Sequence, residues 1–372
     1  VKADVQLQIP LVDLAYQHRA IAEDLAVEWQ RIVETSSFIG GPTVARFEQA
    51  FADFCGIPYC IGVANGTDAI ELCLRAAGVE AGDEVILPTN SFAATAFAVV
   101  RAGARPVLVD VDDRTLLVDP GAVHRAVTAE TRAVIPVHLF GQLAPVELIE
   151  AEVGTEVTVI EDAAQAQGAT RFDRSAGSFG AAAAMSFYPS KNLGAYGDAG
   201  AVLTQSNEFA ASVRALRNYG GEEKNVHPRM GFNSRLDPLQ AAVLLAKLKH
   251  LEQWNEDRQQ AAAFYDRLLA PNPNIVLVPE LSNNRHVWYV YVVRVHERDD
   301  VLERLNDAGI GAAVHYPTPI HLQESFKALG YGEGDFPIAE AAAKEILSLP
   351  MFPGITEQQQ ERVVAELVSV TA

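Results

Sequence analysis

Lys191 lies in the string Met185-Ser186-Phe187-Tyr188-Pro189-Ser190-Lys191-Asn192-Leu193-Gly194. Asp162 stands 29 residues earlier, in Val159-Ile160-Glu161-Asp162-Ala163-Ala164-Gln165. Each segment is a short apolar run with functional groups just past its end. Where such runs are parallel strands, their C-terminal rim is where open α/β sheets bind small molecules. A lysine amine at that rim can condense with an aldehyde, and a neighbouring acid can keep a heteroaromatic nitrogen protonated. That pairing suits pyridoxal phosphate. The lysine forms a Schiff base with the cofactor aldehyde, and the acid keeps the ring an electron sink.

Other residues fit the same picture but also simpler ones. Ala64-Asn65-Gly66-Thr67-Asp68-Ala69 follows another apolar run. Gly66 turns the backbone and Thr67 opens a helix, whose free amides and dipole suit a phosphate. The same residue types also make an ordinary capped turn. Phe92 stacks on a flat ring or fills the core. Glu161 and Asp162 are functional acids or helix caps, although the alanines that follow leave room for a ring. A lone lysine is usually solvated. Here Pro189 and Gly194 constrain its loop, and Gly194, Gly197 and Gly200 permit tight packing. No G-x-G-x-x-G follows the first strand and no G-x-x-x-x-G-K-[ST] occurs, which disfavours dinucleotide and nucleotide triphosphate sites. His315 and His321 have no companion cysteine pair, so no metal site is expected.

The elements that must position these groups follow from apolar spacing. Helices are expected at 21–32 and 44–55. From 61 to 205 strands at 61–63, 85–87, 106–109, 133–137, 157–160, 183–187 and 199–203 alternate with helices such as 67–77 and 95–101. Such alternation predicts a mostly parallel sheet covered on both faces. A single long helix over 238–269 leads to a smaller α+β part. That part has strands at 275–278, 288–295 and 312–314 and helices at 301–308, 339–346 and 356–368. The implied organisation is 1–237 for an arm and a large α/β domain, 238–270 for the connecting helix and 271–372 for a small C-terminal domain.

Composition sets the outer limits. The 372 residues include 29 Lys and Arg against 48 Asp and Glu, a formal charge of −19. That balance argues against a nucleic-acid surface, which needs a basic footprint. Cys55, Cys60 and Cys73 lie in apolar runs and read as buried free thiols. No stretch suits a membrane span, so a soluble, cytoplasmic protein is expected.

Four strings in order carry a resemblance: Asn65-Gly66-Thr67-Asp68-Ala69, Glu161-Asp162-Ala163-Ala164-Gln165, Ser186-Phe187-Tyr188-Pro189-Ser190-Lys191-Asn192, and the run from Gly231 to Ala242 containing Asn233. Together they resemble the DegT/DnrJ/EryC1/StrS family of sugar aminotransferases. The resemblance implies the aspartate aminotransferase fold, fold type I, and pyridoxal 5'-phosphate as cofactor. It implies Lys191 as the Schiff-base residue and proton carrier, Asp162 on the pyridine nitrogen and Gln165 on the phenolic oxygen. Phe92 would stack on the ring, and Gly66, Thr67 and Ser186 would hold the phosphate. Asn233 would reach the phosphate of a neighbouring subunit, making a homodimer with shared sites. Relatives that remove oxygen rather than transfer nitrogen carry histidine at the lysine position, so Lys191 implies amino transfer.

A finer likeness concerns the substrate. Arg217-Asn218-Tyr219-Gly220 with Lys224, and the string from His315 to His321, are similar to the branch acting on dTDP-linked 3-keto-6-deoxyhexoses. There Tyr188, Lys224, His315 and Tyr316 would touch the sugar or its diphosphate. Glu222-Glu223-Lys224-Asn225-Val226 lacks the aromatic residue that usually follows the lysine. The implied activity is transamination of a keto nucleotide sugar with L-glutamate as donor, in deoxyamino sugar biosynthesis. A 4-keto sugar, a UDP-linked 3-keto uronate, a cyclitol, or another fold type I reaction are the alternatives.

Overall fold

The computed structural model describes residues 8–221, 223 and 225–371. Helix α1 (Leu14–Glu34) starts at Asp13, whose carboxylate accepts from the Ala15 and Tyr16 amides. Helix α2 (Pro42–Cys55) opens on a proline and closes on Gly56 in the left-handed region, φ 66°. Both outrun the apolar stripes that predict them.

Strands and helices then alternate: β1 (Tyr59–Val63), α3 (Gly66–Ala76), β2 (Glu84–Pro88), α4 (Ala94–Ala102), β3 (Arg105–Val109), α5 (Pro120–Ala126), β4 (Thr131–Val134), α6 (Val146–Val153) and β5 (Thr158–Asp162). A short ribbon of β6 (Thr170–Arg171) and β7 (Arg174–Ser175) precedes β8 (Ala182–Ser186), β9 (Gly200–Thr204) and α7 (Asn207–Leu216). The seven long strands form one sheet in the order β1-β9-β8-β5-β4-β2-β3, in which only β9 runs against its neighbours. Successive side chains on a strand face opposite ways. Ile61, Val63 and Val202 pack with α3, α4 and α7, whereas Cys60, Ala201 and Leu203 pack with α2 and with Leu244 beyond it. Ile86, Val134 and Val159 meet α5 and α6.

The single helix expected over 238–269 is two: α8 (Pro238–Leu248) and α9 (Leu251–Leu269), broken at Lys249 and His250. No glycine or proline marks the break. The two halves serve different cores. Ala242, Val243 and Ala246 pack against Ile21, Leu25 and Ile32 of α1. Ala261, Ala262, Tyr265 and Leu269 pack against the C-terminal sheet. That sheet is antiparallel, β10 (Ile275–Leu277), β12 (Tyr291–Val295) and β13 (Ile346–Leu349), with β11 (Asn284–Arg285) joining the ribbon instead. Helices α10 (Arg298–Asp307), α11 (Pro337–Glu345) and α12 (Glu357–Thr371) complete it.

Two further expectations are corrected here. Residues 312–314 make only an isolated bridge, Ala313 to Ser348. The third strand is Ile346–Leu349, a buried apolar run whose first residue the helical reading absorbed; a run that short does not distinguish strand from helix by periodicity. Likewise β12 starts at Tyr291 rather than 288, because Trp288 sits in the left-handed region, φ 47°, stacked on His286 at 3.9 Å. Among the described residues no helix is long and apolar enough to cross a membrane. Cys55, Cys60 and Cys73 are buried free thiols, and burial pushes each well above the ordinary thiol range.

Candidate active site

Strands β1, β2, β5 and β8 point the same way, and their C-terminal ends open into a cavity of about 660 Å³. Ten of the twelve residues singled out from the sequence line it: Gly66, Thr67, Phe92, Asp162, Gln165, Ser186, Tyr188, Lys191, His315 and Tyr316.

The β1 end is built for close approach. Asn65 caps α3 by accepting from the Asp68 amide at 2.8 Å. Helix geometry leaves the Gly66 and Thr67 amides without intrahelical acceptors, at the positive end of the dipole. A Cβ on Gly66 would lie 2.7 Å from Cβ of Ser186, so only glycine lets this turn meet the end of β8. Two amides and the hydroxyls of Thr67 and Ser186 thus converge on one end of the cavity, an arrangement suited to a phosphate.

At the β5 end the adjacent acids separate, as neighbours on a strand must. Glu161 is wholly buried, accepting from His138 Nε2 at 2.8 Å and from the Gly177 amide at 2.8 Å. It is a structural partner of His138. Asp162 faces the cavity. Its Oδ2 accepts from Thr95 Oγ1 at 2.7 Å and its Oδ1 from the Ala164 amide at 3.2 Å. Among the described residues no basic side chain forms an ion pair with it. Burial raises this carboxyl above its ordinary range; the Thr95 and Ala164 hydrogen bonds and then the Lys191 charge pull less strongly the other way. A buried carboxylate without a cation is costly, and a protonated pyridine would supply one.

Lys191 rides on the loop after β8. Its amide donates to the Tyr188 carbonyl at 2.8 Å, and the Ala195 amide closes the loop on the Phe187 carbonyl at 2.8 Å. Asn192 anchors the loop from behind, donating to Asn255 Oδ1 and to the Val287 carbonyl, each at 2.8 Å. Lys191 is only 9% exposed, and its Nζ lies 4.2 Å from the centre of the Tyr289 ring. Sequence reasoning missed Tyr289, as it missed Thr95 beside Asp162. Trp288, in the left-handed region, interrupts the strand just before Tyr289, and the Tyr289 hydroxyl meets Ser190 Oγ at 3.2 Å. Only the tertiary fold joins positions 191 and 289.

The remaining wall comes from the C-terminal part. Gln165 Oε1 accepts from the Phe140 amide at 2.6 Å and its Nε2 donates to the Tyr316 hydroxyl at 3.0 Å. Tyr316 packs against Phe92, ring centres 5.3 Å apart. His315 Nδ1 shares a hydrogen bond with Ser348 Oγ at 2.8 Å. Burial, with the Lys191 charge adding to it, lowers the His315 imidazole to about 4, so it is neutral at pH 7. Phe92 and Tyr188 remain 57% and 55% exposed. Asn233 is exposed and does not line this cavity; it bridges Asn218 in the adjoining loop. Lys224 lies outside the described residues.

The donor set therefore fits pyridoxal phosphate: an anion cradle that a Cβ would fill, a buried acid in want of a cation, and a shielded lysine, in a cavity of ligand size. Comparison with known proteins agrees. Residues 19–368 match the DegT/DnrJ/EryC1/StrS aminotransferase family. A pleiotropic regulatory protein of Geobacillus stearothermophilus is 44% identical over 97% of this chain and 98% of its own. The dTDP-3-amino-3,4,6-trideoxy-alpha-D-glucose transaminase of Streptomyces venezuelae is 39% identical, over 96% of this chain and 94% of its own. The crystal structure of S. venezuelae DesV superposes with a TM-score of 0.94 at 38% identity, covering 97% of this chain and 98% of that one. With the site and these matches in hand, the chain belongs to the DegT/DnrJ/EryC1/StrS aminotransferase family, and it is a pyridoxal phosphate-dependent sugar aminotransferase of fold type I.

Proposed function

We propose that this enzyme moves an amino group from L-glutamate to a dTDP-linked 3-keto-6-deoxyhexose, as a step in deoxyamino sugar biosynthesis. The observation carrying the residue roles is that Lys191 and Asp162 share one cavity with the Gly66–Thr67–Ser186 cradle. Bound pyridoxal phosphate supplies an aldehyde that takes up nitrogen and a ring that absorbs the electrons of a broken C–H bond. Lys191 would tether the cofactor through its amine; as a free amine it would take a proton from the donor α-carbon in one half-reaction and give one to the sugar carbon in the other. Asp162 holds a proton on the pyridine nitrogen. Gly66, Thr67 and Ser186 bind the phosphate, and Phe92 covers the ring. Gln165 already donates one Nε2 proton to Tyr316; its second is free for the phenolic oxygen. Tyr188, His315 and Tyr316, with Lys224, touch the sugar or its diphosphate. Asn233, exposed and away from this chain's own cavity, reaches the phosphate in a partner copy, so the working unit is a homodimer in the cytoplasm.

Position C3 and the dTDP carrier are supported by the relative named for a dTDP-3-amino sugar, alike over almost the whole chain. Neutral His315 and the Tyr316 hydroxyl supply donors and acceptors for hydroxyls beside the reacting carbon. A site built to bond a hydroxyl rejects analogues that leave its groups unpaired, by up to about 10⁴-fold. The test is incubation of the amine-loaded enzyme with 3-keto and 4-keto sugars carried on dTDP and on UDP, read by product mass and NMR. Amination of the dTDP-3-keto sugar well ahead of the others is expected. A C4-aminated or UDP-linked main product overturns the substrate assignment and leaves the aminotransferase intact.

A further inference from the structure

Beside the cavity, three polar side chains are buried in series. Thr89, one residue past β2, is fully buried, His321 is 1% exposed, and Glu340 of α11 is nearly enclosed. The Glu340 carboxylate accepts from the Gly334 and Phe336 amides and from His321 Nε2 at 3.0 Å. With Nε2 carrying the proton, Nδ1 is left to accept, and Thr89 Oγ1 sits 2.7 Å from it. The same segment binds Thr89 twice more: the His321 amide donates to Oγ1 at 3.3 Å, and the Ile320 amide donates to the Thr89 carbonyl at 2.7 Å. An acid, an imidazole and a hydroxyl in this order activate nucleophiles elsewhere. Thr89 has no access to the cavity, so the series acts as a bridge.

What the bridge joins gives it a role. On one side, five and six residues before His321, stand Tyr316 and His315. On the other, Ser91 and Phe92 follow Thr89; Ser91 Oγ bonds Thr95 Oγ1 at 2.9 Å, and Thr95 holds Asp162. Phe92 and Tyr316 meet across the gap. We infer that His321 is a positioning residue that sets the distance between the Phe92 wall and the His315–Tyr316 wall, and so the fit of the keto sugar. This rests on the proposal above that His315 and Tyr316 face the sugar.

Asparagine at 321 places an amide oxygen near Nδ1 and can still accept from Thr89. Glutamine reaches Glu340 but not Thr89. Leucine does neither. The His321→Leu and His321→Gln enzymes are expected to lose about tenfold or more in kcat/KM for the keto sugar, the scale of a small misplacement of bound substrate. Their glutamate half-reaction should stay within about twofold, since the hydrogen bonds that hold Asp162 and the Lys191 loop are not made by His321. His321→Asn should recover most of the loss. A crystal structure of His321→Leu without cofactor should show the Tyr316 hydroxyl displaced from Gln165, a readout independent of turnover. Equal loss in both half-reactions, equal rescue by glutamine and asparagine, or an unmoved Tyr316 overturns the inference. Should the leucine variant fail to fold, Thr89→Val against Thr89→Ser decides it: only valine should raise KM for the sugar, and wild-type behaviour in both overturns the role. If the wild-type enzyme aminates a different ketone, the same comparison is run on that ketone, so the two proposals fail separately.

Discussion

The two walls of the cavity are made differently. The strand-end wall holds its groups by short local routes: Asp162 directly past β5, Ser186 ending β8, Gly66 and Thr67 opening α3. Asp162 is buried and bonded to Thr95 and Ala164, while Gly66, Thr67 and Ser186 are half-buried with groups open to a ligand, and each belongs to a strand or helix terminus. The opposite wall comes from loops of the C-terminal part, where His315, Tyr316 and Tyr289 arrive by tertiary packing, and between the two walls Phe92 and Tyr188, on the loops after β2 and β8, stay more than half exposed. The first wall takes its spacing from local chain geometry. The gap between the walls has apolar surface left for a substrate or a partner to cover. The difference separates chemistry, which needs fixed distances, from selection, which needs surface still to be filled.

The largest effect should come from the first wall. In the proposed role of Lys191, Lys191→Ala removes the tether for the cofactor aldehyde, and turnover should fall by at least about 10⁴-fold, as for other nucleophile deletions. Borohydride reduction followed by peptide mass spectrometry should find no cofactor adduct in the variant; an adduct on another lysine would move the reacting centre. Asp162→Asn should lower kcat by at least about 10²-fold, because an amide carries no charge to hold the ring nitrogen protonated. Near-normal kcat would reduce Asp162 to a structural acid beside Thr95.

Smaller, more selective losses are expected from groups that reach the cavity from a partner copy or from the C-terminal part. Mixing Lys191→Ala subunits with Asn233→Ala subunits should restore part of the activity, since one of the two hybrid sites is then intact. No recovery in heterodimers shown to form would confine the site to one chain. Smallest is a pH effect. His315 titrates near 4 in the fold against about 6.5 free, so it is neutral in both states above pH 6.5. Below that the unfolded chain binds the extra proton first. The stability that rests on neutral His315 is therefore lost as pH falls from 6.5 towards 4. Sugar half-reaction rates should accordingly show no inflection near 6.5 that His315→Ala abolishes; such an inflection would make His315 an ordinary exposed imidazole.

Legibility in the sequence followed the same division. The strand-end strings were readable because their groups lie within a few residues of the strand they depend on. Every strand of the large sheet was found within two or three residues. Tyr289 was not readable: its place over Lys191 depends on the bend at Trp288, which no local residue announces. The break at His250 and the strand Ile346–Leu349 failed for a related reason. In both, packing against a distant core outweighed a continuous helical pattern. For the adjacent Glu161 and Asp162 local sequence admits function or helix capping alike; strand alternation sends Glu161 to His138 and Asp162 to the cavity.

Asp162 carries one more consequence, in the linkage between cofactor supply and folding. In the empty protein its charged form is disfavoured by burial, so at neutral pH it works against the fold, and protonation relieves that cost as pH falls through its raised value. A bound pyridinium reverses the sign, and a ligand that binds only the native state adds stability in proportion to its occupancy. Cofactor scarcity should then shorten the lifetime of the polypeptide as well as silence it. The melting temperature gained on adding pyridoxal phosphate should be greater at pH 7 than in acid, where a proton competes for the same carboxylate.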